Sequence, residues 1–78
     1  MKVNINIRLF DDNNKELKIG DRIKILAVAY NNIKSDDKYH YGKIEHIDYK
    51  FLIFDEELNG VNYSNIVQYE YITRIEKC

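Results

Sequence analysis

The stretch YHYGKIEHIDYKFLIFDEEL, residues 39–58, decides how this chain folds. Tyr39 to Asp48 and Lys50 to Asp55 are dense in β-branched and aromatic residues, which suit a pleated, half-buried surface, and they part at Asp48-Tyr49. That is the pattern of two strands joined by a tight hairpin. The turn lacks Gly, so its register stays open. A helix fails here and elsewhere, because no window of about 11 residues sustains apolar spacing at i, i+3, i+4 and i+7. Alanine, the best helix former, occurs only at positions 27 and 29.

Upstream of this hairpin, Asn31 to Lys38 is polar apart from Ile33 and reads as a mobile loop or at most a helical turn. Before it, Gly20-Asp21 breaks the chain and a strand follows. Ile23, Ile25, Ala27 and Ala29 share one parity while Leu26, Val28 and Tyr30 fill the other, so the strand is expected to become buried on both faces as it proceeds. At the N-terminus Val3, Ile5, Ile7 and Leu9 alternate with Lys2, Asn4, Asn6 and Arg8, a period of two that puts four apolar side chains on one face. Asp11-Asp12-Asn13-Asn14 then supplies turn residues before Leu17 and Ile19 resume the alternation, which predicts a β-hairpin.

Downstream, Glu56 to Gly60 forms a second polar break and Val61 to Tyr71 returns to strand composition. Tyr69, Ile72 and Ile75 are spaced by three, which predicts a short helical turn at about residues 69–72 and a last strand over residues 73–77. At 78 residues the chain is expected to be one domain, residues 1–78, with stability on the order of a few kcal/mol. Five or six strands sharing one core in so short a chain predict an all-β fold, a small and strongly bent barrel.

The order of segments is GDRIKI, polar loop, YGKIEHID, tight turn, KFLIFDEE, a further strand, a helical turn at YEYI, and TRIEK. Over about residues 17–78 this resembles the SH3-like barrels, including their Sm-like and KOW-type variants, in which a short helical turn precedes the closing strand. The resemblance implies a five- to six-stranded SH3-like barrel, to which the N-terminal hairpin strand is an addition. Sm-like proteins bind RNA through residues in defined loops. That signature is absent here, and no functional residue carries across.

Composition narrows the functional classes. Asn4, Asn6 and Arg8 interrupt any apolar stretch after Met1-Lys2, so no secretory signal is expected. The longest apolar run, residues 25–30, falls far short of the roughly 20 residues that span a bilayer. Asn62-Tyr63-Ser64 matches the glycosylation acceptor pattern, which matters only on a secretory route. The lone cysteine, Cys78, has no intrachain partner, so a reducing, cytoplasmic setting is expected. The formal charge of −1 argues against a protein whose main task is coating phosphate backbones. Residues 1–26 hold six basic and four acidic side chains and residues 51–78 two and five, so a local basic face remains open.

No catalytic constellation, metal site or cofactor is expected. Six residues of strand separate His40 from His46 by about 20 Å. Asp11 to Asn14 lacks the Gly and terminal Glu of a calcium loop, and Lys15 stands where an oxygen ligand belongs. Asp55-Glu56-Glu57 reads as a solvated strand end rather than an acid/base pair. Cys78, Ser35 and Ser64 have no local His, and glycines 20, 42 and 60 are too scattered for a phosphate loop.

Tyrosine is the unusual feature, with seven in the chain, roughly three times ordinary usage. Tyr39 with Tyr41 and Tyr69 with Tyr71 form same-parity pairs. Tyrosine supplies stiff apolar area with a polar tip, which suits protein interfaces and base stacking as well as the open ends of a small barrel. Tyr39, Tyr41, Lys43, Tyr49, Tyr69 and Tyr71 are therefore the candidate binding residues. The leading expectation is a non-catalytic module that binds a protein partner, a small adaptor or inhibitor, with homo-oligomerisation through an open edge strand as a further route. The alternative is a single-stranded RNA or DNA binder that stacks bases on Tyr39, Tyr41 and Tyr49 and holds phosphates with Lys38, Lys43 and Lys50. The excess of Asn, Lys, Ile, Asp and Tyr resembles proteins encoded by AT-rich bacteria, their phages or plasmids.

Overall fold

The fold is described by a computed structural model over residues 7–78. Val3 and Ile5 of the N-terminal alternation lie outside the described residues. Nine strands occur among those described: β1 (Leu9–Phe10), β2 (Glu16–Leu17), β3 (Arg22–Ala27), β4 (Ala29–Tyr30), β5 (Ile33–Lys34), β6 (His40–Ile47), β7 (Phe51–Leu58), β8 (Val61–Gln68) and β9 (Ile72–Lys77). A single 3₁₀ turn, Tyr69–Tyr71, separates the last two. The long antiparallel sheet has the order β8-β7-β6-β3-β9, and β1-β2 and β4-β5 are two-residue pairs. No helix among the described residues is long and apolar enough to cross a membrane.

Alternation along the strands builds the core. Ile23, Ile25 and Ala27 of β3, Ile44 of β6, Leu52 and Phe54 of β7, Val67 of β8 and Ile75 of β9 all point to one side, where Leu17 and Tyr30 join them. The β6–β7 hairpin closes through the Asp48 N–H, which donates to the Phe51 carbonyl at 2.8 Å. Its register pairs Lys43 with Asp55 and Ile44 with Phe54, then shifts before His46 meets Ile53. Gly42 is needed in this pair. A Cβ there would collide with the Asp55 carbonyl oxygen and lie 2.6 Å from Phe54 Cδ2.

The expectation of a five- to six-stranded barrel is corrected, because the sheets do not close into a barrel and the strand count differs. β8 and β9 lie at opposite edges of the long sheet, with no ladder between them. Residues of other segments occupy part of each edge, at Ile75 and Lys77 of β9 and at Ile66 of β8. On β9, Asp12 Oδ2 accepts the Ile75 N–H at 3.1 Å and Asp11 Oδ2 accepts the Lys77 N–H at 2.8 Å, while the Asp12 N–H donates to the Ile75 carbonyl at 3.0 Å. On β8, the Ile66 N–H donates to Asn31 Oδ1 and the Asn31 N–H to the Ile66 carbonyl, both at 2.8 Å.

The strand count rises for two reasons. The strand expected up to Tyr30 breaks at Val28, whose side chain is 53% exposed rather than buried and whose N–H donates to the Tyr71 carbonyl. The segment expected to be a loop instead forms the β4–β5 hairpin, with Asn31 and Asn32 at φ 53° and 61° between Tyr30 and Ile33. Two left-handed residues give the turn that matches strand twist, and Asn tolerates that conformation better than most residues.

Candidate binding surfaces

The β4–β5 hairpin, the turn between β6 and β7, and the 3₁₀ turn converge on the end of β8 and leave a cleft of about 360 Å³ between them. Ala29, Phe51 and Ile66 give it an apolar lining, Tyr49 and Tyr71 contribute aromatic rings, and Asn32, Asp48, Lys50 and Gln68 supply polar groups. Tyr49 is 61% exposed, so its ring is free to meet a ligand.

Hydrogen bonds hold the three segments around the cleft. The Tyr69 O–H donates to the Asp48 carbonyl at 2.5 Å and the Tyr69 N–H to the Lys50 carbonyl at 2.9 Å, which ties the β6–β7 turn to the 3₁₀ turn. Burial of this phenol pushes its pKa up to about 12, so it stays a donor at neutral pH. The Asp48 carboxylate accepts from His46 Nε2 at 3.0 Å and from the Tyr49 N–H at 2.6 Å, and these two contacts hold it below the usual carboxylate range. Asn31 bridges to Ile66 on the opposite side, and Gln68 Nε2 donates to Asn32 Oδ1 at 3.4 Å. A cleft framed in this way needs little reordering when a ligand enters.

A second surface lies on the face of the long sheet that points away from the core. Arg22 and Lys24 of β3 stand beside Lys43 and Tyr41 of β6 in register, and Arg74 of β9 lies across from Leu26. Lys24 Nζ sits 4.4 Å from the centre of the Tyr39 ring, a cation–π contact. Among the described residues none of these four cations lies within ion-pairing distance of a carboxylate. Four acids share the face: Asp55 opposite Lys43, Glu76 opposite Lys24, Glu45 beside Asp55 on the Ser64 hydroxyl, and Glu57 two residues on from Asp55.

The six candidates read from sequence therefore divide. Tyr49 and Tyr71 line the cleft, Tyr69 braces it from beneath the turn, and Tyr39, Tyr41 and Lys43 belong to the sheet face. Lys50 joins the cleft. The Lys38 N–H caps Asp36 Oδ1 in the loop before β6, at 3.1 Å. Ala29, Phe51, Ile66 and the Asn31-Asn32 turn were not candidates. The Asn-Asn pair, flanked by Tyr30 and Ile33, was the available signal for a hairpin at one wall of the cleft.

Two carboxylate clusters complete the chemistry. Glu56, read from sequence as part of a solvated run, is only 7% exposed and turns inward. It pairs with His40 Nδ1 at 2.6 Å and accepts from Asn65 Nδ2 at 3.2 Å, while His40 Nε2 reaches Asp36 at 3.3 Å and its ring packs 4.7 Å from that of Tyr30. Every member has a partner, which makes this a structural tie between the β5–β6 loop and the sheet. On the other side of the sheet Ser64 Oγ donates to Glu45 Oε2 at 3.0 Å and Asp55 Oδ1 at 3.2 Å, and the neighbouring Asp55 raises the Glu45 pKa. No three His, Cys, Asp or Glu among the described residues form a group able to hold a metal ion. No protein-family model, curated protein or solved structure matches the chain.

Proposed function

We propose that this chain is a non-catalytic binding module whose cleft takes an exposed segment of a protein partner, in the manner of a small adaptor or inhibitor. The observation that carries the reading is the cleft itself, apolar at Ala29, Phe51 and Ile66, flanked by Tyr49 and Tyr71, and framed by hydrogen bonds already made in the free chain. Aromatic rings around an apolar patch with a polar rim are the composition of interface hot spots. The element order supports the SH3-like resemblance, since β3, β6, β7, β8, the 3₁₀ turn and β9 follow it in sequence, with β4–β5 as an excursion between the first two. The test is affinity capture from the native host with the wild-type chain and with Tyr49→Ala/Tyr71→Ala. Partners captured by the wild type and lost from the variant support the reading; equal capture by a folded variant refutes it.

The sheet face favours a second reading, binding of a single-stranded nucleic acid by Arg22, Lys24, Lys43 and Arg74, with Tyr39 and Tyr41 as stacking surfaces. Fluorescence-anisotropy titration of labelled poly-pyrimidine strands separates the two. Affinity that collapses as salt rises supports this reading, and absence of binding at low salt eliminates it.

A further inference from the structure

We propose that the uncovered half of β8, residues 61–65, pairs antiparallel with the same segment of a second copy of this chain, across a two-fold axis at Tyr63. The proposal stands independently of what the cleft binds.

It rests first on which edge groups are taken. The two-residue Asn59-Gly60 turn, both residues at positive φ, joins Leu58 to Val61 as a hydrogen-bonded pair, so alternate residues from Asn62 onward aim their N–H and C=O away from β7. Ile66 falls in this outward set, and Asn31 occupies both of its groups. Asn62 and Ser64 fall in it too, and among the described residues no hydrogen bond reaches their outward backbone groups. The opposite edge is covered, because Asp11 and Asp12 satisfy β9. Unprotected edge strands recruit further strands, and among the described residues the five-residue window 61–65 of β8 is open.

The register of that window accommodates a second copy of itself. Its central residue is Tyr63, so antiparallel alignment about Tyr63 sets Asn62 against Ser64 of the second copy and Ser64 against its Asn62. Each pair exchanges two N–H···O=C bonds, four in all. The alignment ends where Asn31 begins its cover of Ile66. The two Tyr63 side chains then stand directly opposite in a non-hydrogen-bonded pair, the arrangement in which cross-strand side chains come closest. Val61, Tyr63 and Leu58 are now half exposed on one face, at 51%, 49% and 48%, and the pairing covers part of them. Residues 61–65 carry no charge, so no like charges meet across the axis.

One term opposes association. Ser64 holds Glu45 and Asp55 on the outer face, and Glu57 stands opposite Asn62, so the pairing brings two acidic sets to within two or three strand spacings, roughly 10–14 Å. That repulsion is screened at moderate ionic strength, where the Debye length is about 10 Å or less. Self-association therefore tightens as salt rises, whereas docking of a basic partner beside the same carboxylates would weaken. Five residues of strand bury less than the roughly 1,200 Å² of a stable complex, so the dimer is weak and concentration-dependent. The cleft adjoins the same strand at Ile66 and Gln68, so each dimer presents two clefts on one continuous sheet and gains avidity for a divalent target.

Sedimentation velocity of the full chain, from about 10 µM to about 1 mM at low and high salt, reads the association directly. The expected result is a weight-average mass that rises with concentration and rises further with salt. A chain that stays monomeric at high salt and the highest concentration, or association that salt weakens, overturns the proposal. Register is tested by oxidative cross-linking in a Cys78→Ser background. Tyr63→Cys brings two thiols to the axis, within disulfide reach, whereas Val61→Cys leaves them roughly 13 Å apart. Efficient cross-linking by the first and at least tenfold less by the second is expected; equal cross-linking refutes the Tyr63 axis. Should either cysteine variant fail to fold, the wild-type sedimentation result still decides the proposal.

Discussion

Removing one oxygen, by Tyr69→Phe, tests whether the cleft is braced as described. The Tyr69 O–H donates to the Asp48 carbonyl at 2.5 Å, and the ring packs against the core alongside Leu9, Ile47 and Ile72. Phenylalanine keeps that packing and leaves the Asp48 carbonyl without its donor. A net hydrogen bond of this kind contributes about 1 kcal/mol, and the part-buried site puts the expectation at about 0.5–1 kcal/mol. In a domain of this size that lowers Tm by roughly 2–8 °C and the urea midpoint in proportion, with the m-value unchanged. The alkaline limb gives an independent reading of the same group. Burial raises the phenol to about 12 in the folded chain, above its ordinary value of about 10, so its contribution is complete below pH ~10 and is lost as pH rises toward ~12. Tyr30 is also raised, by burial in the first place, so wild type and variant share part of this limb and the difference between them isolates Tyr69. Amide exchange at Tyr49 and Tyr69, whose N–H groups donate to Asp48 Oδ1 and the Lys50 carbonyl, should quicken in the variant. Unchanged stability together with unchanged exchange at these two amides would refute the brace.

Gly42→Ala places a methyl group against the Asp55 carbonyl and Phe54, which forces the β6–β7 pair apart and should cost about 1–3 kcal/mol by urea denaturation. Asn31→Ala uncovers Ile66 at the edge of β8 and should cost about 0.5–1.5 kcal/mol, with faster exchange of the Ile66 amide as its signature. Asp11 is held below the usual carboxylate range by the N–H of Lys77, then by those of Lys15 and Asn13, so its contribution is present above pH ~4 and is lost as pH falls further. Asp11→Asn should flatten the acid limb of stability relative to wild type, and thermal melts between pH ~2 and ~6 measure it.

The β-rich class, the β6–β7 hairpin and the 3₁₀ turn before β9 were legible because each has a local cause: β-branched and aromatic residues crowded into residues 39–58, a polar turn at Asp48-Tyr49, and a spacing of three at Tyr69, Ile72 and Ile75. The open sheet was not, because β9 and the end of β8 at Ile66 are capped by bonds from Asp11, Asp12 and Asn31, which leave no periodic trace. Glu56 shows another limit. It sits in an acidic run, yet its parity with Phe54 and Leu52 turns it inward to His40, and composition masked that parity. Of the cleft, Tyr49 and Tyr71 stood out through the excess of tyrosine. Ala29, Phe51 and Ile66 are ordinary strand residues until three segments bring them together. Tyr39, Tyr41 and Lys43 had the right parity, but parity alone could not separate their face from the cleft.

The most direct test of the binding-module reading is selection of peptides against the chain from a displayed random library, followed by chemical-shift mapping of the best binder on the isotopically labelled protein. Perturbations centred on Tyr49, Phe51, Ile66 and Tyr71 are the predicted result. Perturbations confined to Arg22, Lys24 and Lys43, or a library that yields no binder, would contradict it.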